Sequence, residues 1–216
     1  MAVAISTLTP DIQMEIPELP GFIAQRHFLK AAREFAERSR AWRQDIQLSI
    51  VDGTATLDLA LEYGADVELV DIVSIKPASG GAPLEARTPQ WLDTNRTNWR
   101  TETSDPATYY FLSSNNKIRL VPIPASTVIN YYDARVALKP KLTATTIPDI
   151  IANKFDELLI HGALSRIYAI PRKPWTDPNL SSYHLALFER GVLDARAEGT
   201  DEFQTGVPRT VKYGGL

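Results

Sequence analysis

The chain contains no cysteine, two methionines and three histidines in 216 residues. The absence of thiols excludes disulfide stapling, thiolate nucleophiles and cysteine-ligated metals, and with them the small disulfide-framed secreted domain. No run approaches the roughly 18–20 consecutive apolar residues that a membrane-spanning helix needs. Positive charge is not in excess: 23 Lys and Arg stand against 26 Asp and Glu, a net charge of −3. A surface built to grip phosphates needs clustered Lys and Arg, so this balance argues against nucleic-acid binding as the main task. The opening Met1-Ala2-Val3-Ala4-Ile5 has no basic leader and soon meets Pro10 and Asp11, which is unlike a secretory signal. The patterns G-x-S-x-G, P-loop, G-x-G-x-x-G and H-E-x-x-H are also missing. Nucleophile-elbow, nucleotide-binding and zincin chemistry therefore lack their minimal residues.

What is present is a chain whose period changes along its length. Thr9-Pro10-Asp11-Ile12 reads as a short capped helix or turn, halted by Pro17 and Pro20. From Ile23 to about Trp42, residues Phe28, Ala32, Phe35, Ser39 and Trp42 recur at alternating steps of four and three, one face of an amphipathic helix. Ala31, Ala32 and Ala36 keep that face small enough for a second helix to approach closely, while Arg26, Lys30, Arg33, Glu37 and Arg40 fall mainly on the solvated side. The period then becomes two. Ile46, Leu48 and Ile50 alternate with polar residues, as do Leu57, Leu59 and Leu61, and Asp52-Gly53 between them predicts a hairpin. Further strands are expected over Glu68–Ile75, Tyr109–Leu112, Lys117–Ile123 and Val128–Leu138, with Asn115-Asn116 turning one hairpin.

Between these strands runs a long excursion, Pro77 to Pro106, opened by Gly80-Gly81 and carrying Trp91 and Trp99. A loop of that length inside a compact domain is usually functional or holds its own short helix, here expected over Pro89–Thr94. After Pro140 the helical period returns. Thr146-Ile147-Pro148-Asp149 fits a capping box, and Ile151, Phe155, Leu158, Leu159, Gly162, Ala163, Ile167 and Ile170 form a broad apolar stripe. Pro171 and Pro174 end it, and Asp177-Pro178 restarts a helix whose expected buried positions are Tyr183, Leu187, Phe188 and Leu193. From Gly199 the pattern dissolves, although Phe203, Val207, Val211, Tyr213 and Leu216 remain apolar. The expected fold is therefore α+β. An N-terminal helix and a C-terminal helical hairpin (1–43 and 140–198) form a bundle with an inserted antiparallel β-rich lobe (44–139), followed by an extended arm (199–216).

No grouping of side chains requires a catalytic reading. His161 and His184 lie on neighbouring predicted helices and could approach each other, yet a zinc site would need further ligands that the pattern does not supply. Asp66, Glu68 and Asp71 cluster on one strand, where a solvated edge that discourages edge-to-edge pairing is the simpler account than a cleft with split pKa values. Asp156-Glu157 is read as an exposed helix face. Arg96, Trp99 and Arg100 suggest a stacking platform for single-stranded nucleic acid, but Glu85, Asp93, Glu102 and Asp105 cancel the local charge. Contact of Trp91, Arg96, Trp99 and Arg100 with a neighbouring subunit or tail protein suits those residue types better, with packing inside the chain as the alternative.

Three stretches in register resemble the head-to-tail connector adaptors of tailed, particularly short-tailed, bacteriophages. They are Phe35-Ala36-Glu37-Arg38-Ser39-Arg40-Ala41-Trp42 leading from helix into strand, Ile118-Arg119-Leu120-Val121-Pro122-Ile123-Pro124 closing the β insert, and Ile147-Pro148-Asp149 opening the last helices. The resemblance implies a virion protein made in the host cytoplasm that takes its place at the neck, in a ring of about twelve copies below the portal protein. It implies contact with the portal, with a tail or nozzle protein and with its own copies. Genomic DNA would pass through the bore without specific binding, and neither cofactor, metal nor membrane enters. The arm would dock on the portal through Phe203, Val207, Arg209, Val211, Tyr213 and Leu216, and the β lobe would face the tail. An acidic bore repels phosphate and lets DNA slide, which suits that picture. Two other readings compete: a non-enzymatic module presenting its β lobe to a glycan or protein ligand, and a hydrolase using Asp66, Glu68 and Asp71.

Overall fold

The computed structural model describes residues 2–59, 66–114 and 116–201. The chain begins with strand β1 (Ala2–Ala4), short helices α1 (Ile5–Leu8) and α2 (Pro10–Glu15), and the long helix α3 (Gly21–Ser39). The middle holds β2 (Arg43–Ile50), β3 (Thr56–Asp58), β4 (Val67–Pro77), β5 (Glu85–Ala86), helix α4 (Pro89–Asn95), β6 (Tyr109–Ser114), β7 (Lys117–Val121) and β8 (Val128–Pro140). It closes with β9 (Thr146–Pro148) and helices α5 (Asp149–Tyr168) and α6 (Pro178–Asp201). Helices and antiparallel sheets thus coexist, as an α+β fold requires.

Helix α3 buries Phe28, Ala31, Ala32, Phe35, Ala36 and Ser39, the face its spacing predicts. It stops earlier than expected, because Arg40 turns left-handed (φ 54°) and its N–H closes on the Ala36 carbonyl at 3.0 Å. Ser39 reinforces the stop, its hydroxyl donating to the Phe35 carbonyl at 2.7 Å and accepting the Ala41 N–H at 3.1 Å. Trp42 therefore lies beyond the helix, wedged against both the helical and the β cores. Helix α5 packs between α3 and α6, and it bends at Phe155 (φ −129°, ψ 19°), whose ring meets Phe35 at 4.7 Å. Asp177 caps α6 as expected, accepting the Asn179 N–H at 2.8 Å and the Leu180 N–H at 3.1 Å.

Two expectations about these helices fail. Thr146 makes no capping box: Thr146–Pro148 is strand β9, paired antiparallel with β1, and the N-cap residue of α5 is Pro148, with no side-chain cap. Pairing of Ile147 with Val3 holds this stretch extended, which removes the local geometry a box needs. On α6 the buried row is His184, Phe188, Val192 and Ala195, whereas Tyr183 is 59% and Leu193 61% exposed. Each of those two sits one residue off the buried row, about 100° around the helix, so apolar character placed them on the wrong face.

Apart from the β1–β9 pair, the strands form two sheets around one core. Strands β2–β8–β4 are antiparallel; the second sheet runs β3–β7–β6–β5, with β5 parallel to β6. Ile46, Leu48, Ile50, Ile75, Tyr132 and Val136 of the first sheet share a buried cluster with Tyr110, Ile118 and Leu120 of the second. The β6–β7 hairpin forms around Asn115-Asn116 as predicted, Asn115 itself being outside the described residues. The hairpin expected at Asp52-Gly53 does not form. The turn exists, with Gly53 at φ 71° and the Thr54 N–H on the Val51 carbonyl at 2.9 Å, but β2 and β3 belong to different sheets. The Gly53 N–H bonds the Pro124 carbonyl at 3.0 Å and the Asp52 N–H bonds the Thr127 hydroxyl at 3.0 Å, steering the chain across rather than back.

Side chains of α3 and of its C-cap residue Arg40 fasten the helices to the first sheet. Arg33 donates to the Pro140 carbonyl and pairs with Glu68 at 3.1 Å, Arg40 pairs with Asp71 at 2.8 Å, and Lys139 reaches Glu37 at 2.9 Å. The Trp42 carbonyl also accepts the Leu138 N–H at 2.9 Å.

Candidate interaction site

The Pro77–Pro106 excursion folds over the outer face of β6 and β7. Helix α4 forms where expected, Thr88 accepting the Trp91 N–H at 3.3 Å, and it buries Leu92 beside Trp99 and Val121. The register Phe111↔Arg119 puts both residues on this outer face, because alternate residues of a strand share a side. Trp99 meets Phe111 edge-on at 5.6 Å, Trp91 meets Tyr109 at 5.4 Å, and four arginines cover the rings. Arg87 lies 4.7 Å from the Trp91 centroid, Arg100 and Arg119 lie 4.4 and 5.0 Å from Trp99, and Arg96 lies 5.5 Å from Tyr109. Such contacts draw the guanidinium charge electrostatically to the ring face.

Acidic neighbours offset most of this charge. Arg87 pairs with Glu85, Arg96 with Glu102 at 3.0 Å, and Arg100 with Asp93. Asp93 accepts from both the Arg100 guanidinium and, at 2.8 Å, the Trp99 indole N–H, and these hydrogen bonds hold its carboxyl below the usual carboxylate range. Sequence reasoning picked out Trp91, Arg96, Trp99 and Arg100, counted Asp93 only as an offsetting charge, and missed Arg87 and Arg119 as members of the cluster. The alternation of the Ile118–Val121 strand carries the only local hint, since it places Arg119 opposite the inward Ile118 and Leu120. Of the residues picked out, Trp99 is 3% exposed and packs inside its own chain, while Arg100 lies at the surface and Trp91 is half-buried.

Two of the three carboxylates weighed for hydrolysis, Glu68 and Asp71, are tied down. Glu68 and Asp71 pair with Arg33 and Arg40, and the Asp66 carbonyl accepts the Lys141 N–H at 2.9 Å. Glu68 and Asp71 thus serve the helix–sheet junction. A broad concavity of about 850 Å³ lies over the outer face of the first sheet, lined by Gln44, Asp45, Gln47, Lys76, Asp133 and Arg135. Its fork of Arg135 on Asp45, at 2.6 and 2.7 Å, lowers the Asp45 carboxyl pKa through that hydrogen bonding.

His161 and His184 do meet, Nδ1 to Nδ1 at 3.0 Å. His184 is buried, with the Tyr168 ring stacked on it at 5.7 Å and its Nε2 3.3 Å from Glu15 Oε1, an oxygen that also accepts the Tyr168 hydroxyl at 2.8 Å. Burial, then the neighbouring His184, push the His161 pKa down. His27 is also lowered, by burial and by Lys30, Arg166 and Arg26. Among the described residues no group of three or more His, Asp or Glu could hold a metal ion. The arm residues Phe203, Val207, Arg209, Val211, Tyr213 and Leu216 lie outside the described residues.

A family model described as SU10 adaptor protein matches residues 1–211. The chain belongs to this family. Individual curated proteins return no match. The SU10 adaptor match spans the helices, both sheets and most of the segment after α6, so the assignment covers the fold as a whole. It makes this adaptor a structural component of a bacteriophage virion, in a family of adaptors and not a known class of enzyme, that contacts other head or tail proteins. Among the described residues no helix of the adaptor is long and apolar enough to cross a membrane.

Proposed function

We propose that this adaptor forms a closed ring of about twelve copies below the portal of a short-tailed phage, joins the portal to the tail and lines part of the DNA ejection channel. The family match over residues 1–211 carries this reading. Residues 1–43 and 140–198 form the scaffold near the portal, 44–139 the lobe toward the tail, and the arm 199–216, whose first residues still belong to α6, docks on the portal. A segment that orders on docking covers a large surface at a cost in affinity, and adding a strand to the partner's sheet edge is one route. Trp91, Arg96 and Arg100, on the rim of the excursion, contact a neighbouring copy or the tail, with Trp99 beneath them as support.

Sedimentation velocity of the protein mixed with its portal ring tests the assignment. A discrete heavier particle, close to one adaptor per portal subunit, is expected. Deleting residues 202–216, which leaves α6 whole, is expected to abolish that particle; unchanged binding would refute the arm assignment. Changing Trp91 to Ala and Arg100 to Glu together is expected to leave portal binding intact and weaken tail attachment at least tenfold. A second reading, a module for a glycan or protein ligand, has the polar concavity on the first sheet in its favour. No particle with an intact portal ring would support it, with glycan screening as the next measurement.

A further inference from the structure

The contact between His161 and His184 has a restricted proton capacity, and it joins three helices. His184 Nε2 faces the Glu15 carboxylate at 3.3 Å, so that nitrogen carries hydrogen and, in the neutral ring, Nδ1 holds the lone pair. His161 Nδ1, 3.0 Å away, must then be the donor, which leaves His161 Nε2 as the free basic site. A first proton enters there and makes His161 an imidazolium that still donates to His184, a charge-assisted bond. A second proton would have to bind His184 Nδ1, directing two N–H groups at each other with roughly 1 Å between the hydrogens. The rings cannot keep their positions in that state.

We propose that His161, His184 and Glu15 form a proton-limited latch, which holds the start of α6 against α5 and α2 with no proton or one proton bound and opens on binding a second. The groups facing the pair come from every packed element. Glu15 of α2 favours the first proton; Glu157 of α5 acts on His161; Tyr168 of α5 and Tyr183 of α6 flank the His184 ring. Asp177, just before α6, acts on the Tyr168 hydroxyl and, after burial and Glu15, helps keep it protonated. Burial outweighs the two glutamates at His161, so His161 takes up its proton below the ordinary histidine range. By linkage, folded His161 binds fewer protons than a free histidine, so its contribution is complete above about pH 6.5. It declines as pH falls through the lowered value.

Hydrogen exchange on the full chain between pH 7.5 and 4.5 tests this. Protection factors normalise the intrinsic pH dependence of exchange. Amides 181–188 are expected to lose protection by up to tenfold per pH unit once the second proton binds, while the β8 amides hold theirs. His161→Asn supplies a side-chain amide N–H to His184 Nδ1 without titrating, and it is expected to abolish the local loss. The separate acid effect of His27 on α3 should remain in that variant. Equal acid loss in His161→Asn and wild type would overturn the latch. Should that variant fail to fold, an NMR titration of the wild-type histidines decides. Two proton steps, the second coinciding with opening of 181–188, are expected; independent titration with 181–188 still protected would overturn the latch.

Discussion

Replacing Phe188 by Ala is expected to destabilise the helical bundle by about 3–5 kcal/mol, the range for emptying a fully buried aromatic site. Phe188 is wholly buried and sits where α6 crosses α5, and the contact depends on Gly162. A methyl group at Gly162 would stand 2.6 Å from Phe188 Cδ2 and 3.0 Å from the Ala31 methyl, so the ring fills space that only a glycine leaves open. Gly162→Ala alone is expected to cost about 1–3 kcal/mol through overpacking, because neither α3 nor α6 can withdraw freely. Combined with Phe188→Leu the methyl gains room, and the double variant should lose less than the sum of the single changes. Gly191→Ala is the control: the atoms its methyl would meet belong to Leu158, a flexible and only partly buried side chain. The gain in helix propensity, about 1 kcal/mol, is expected to offset that contact. Denaturant unfolding of the five variants, Phe188→Leu alone among them, measures all of this, and additive losses for Gly162→Ala and Phe188→Leu would refute the shared junction.

Tyr132→Ala is expected to cost about 3–5 kcal/mol, and Tyr132→Phe about 1–3 kcal/mol, for different reasons. Tyr132 on β8 is fully buried, and its hydroxyl oxygen accepts the N–H of Ala107, itself buried, at 2.8 Å. Alanine opens a cavity between the two sheets. Phenylalanine fills the same space but leaves the Ala107 N–H unpaired at the point where the excursion rejoins β6. Exchange at the Ala107 amide should rise in Tyr132→Phe well before global unfolding, and the emission of Trp99 should move only in Tyr132→Ala. Burial pushes the Tyr132 hydroxyl up to about 12. A raised folded pKa contributes stability that is complete below the unfolded value, about 10, and is lost as pH rises toward the folded one. Wild type should therefore weaken between those limits, and Tyr132→Phe should lack that component. Identical alkaline profiles would remove the hydroxyl from the account.

Recognising the adaptor family from the sequence rested on short structural stretches in order, and those stretches occupy the joints of the fold. Phe35–Trp42 is the end of α3 and the wedge between the two cores; Ile118–Val121 is the strand that divides its side chains between the inter-sheet core and the excursion. Ile147-Pro148-Asp149 marks the step from β9 into α5, although its capping role was misread. The Arg–Trp surface was legible in its composition. Its internal pairing was not, since Asp93 joins Trp99 and Arg100 only once α4 has folded back over β6 and β7.

By itself, the sequence determined what depends on neighbours within a turn or two of chain. The stripe of α3, the alternation of Ile118 and Leu120 and the Asp177 cap follow from periods of 3.6 and 2 and from local capping chemistry, which hold in whatever fold contains them. Tertiary structure alone decided the pairings between distant segments. The Asp52-Gly53 turn specifies its own backbone angles, but an acceptor 75 residues onward, the Thr127 hydroxyl, helps decide that β3 joins a second sheet. Thr146 has the chemistry of a cap, yet the first strand of the chain claims its backbone. Tyr183 and His184 are adjacent in sequence, and only the position of α5 sends one to the surface and the other against His161, 23 residues away. Local preferences amount to a few tenths of a kcal/mol per residue, whereas burying one large side chain contributes about 1.5–3 kcal/mol, so where the two conflict the packing of distant elements prevails.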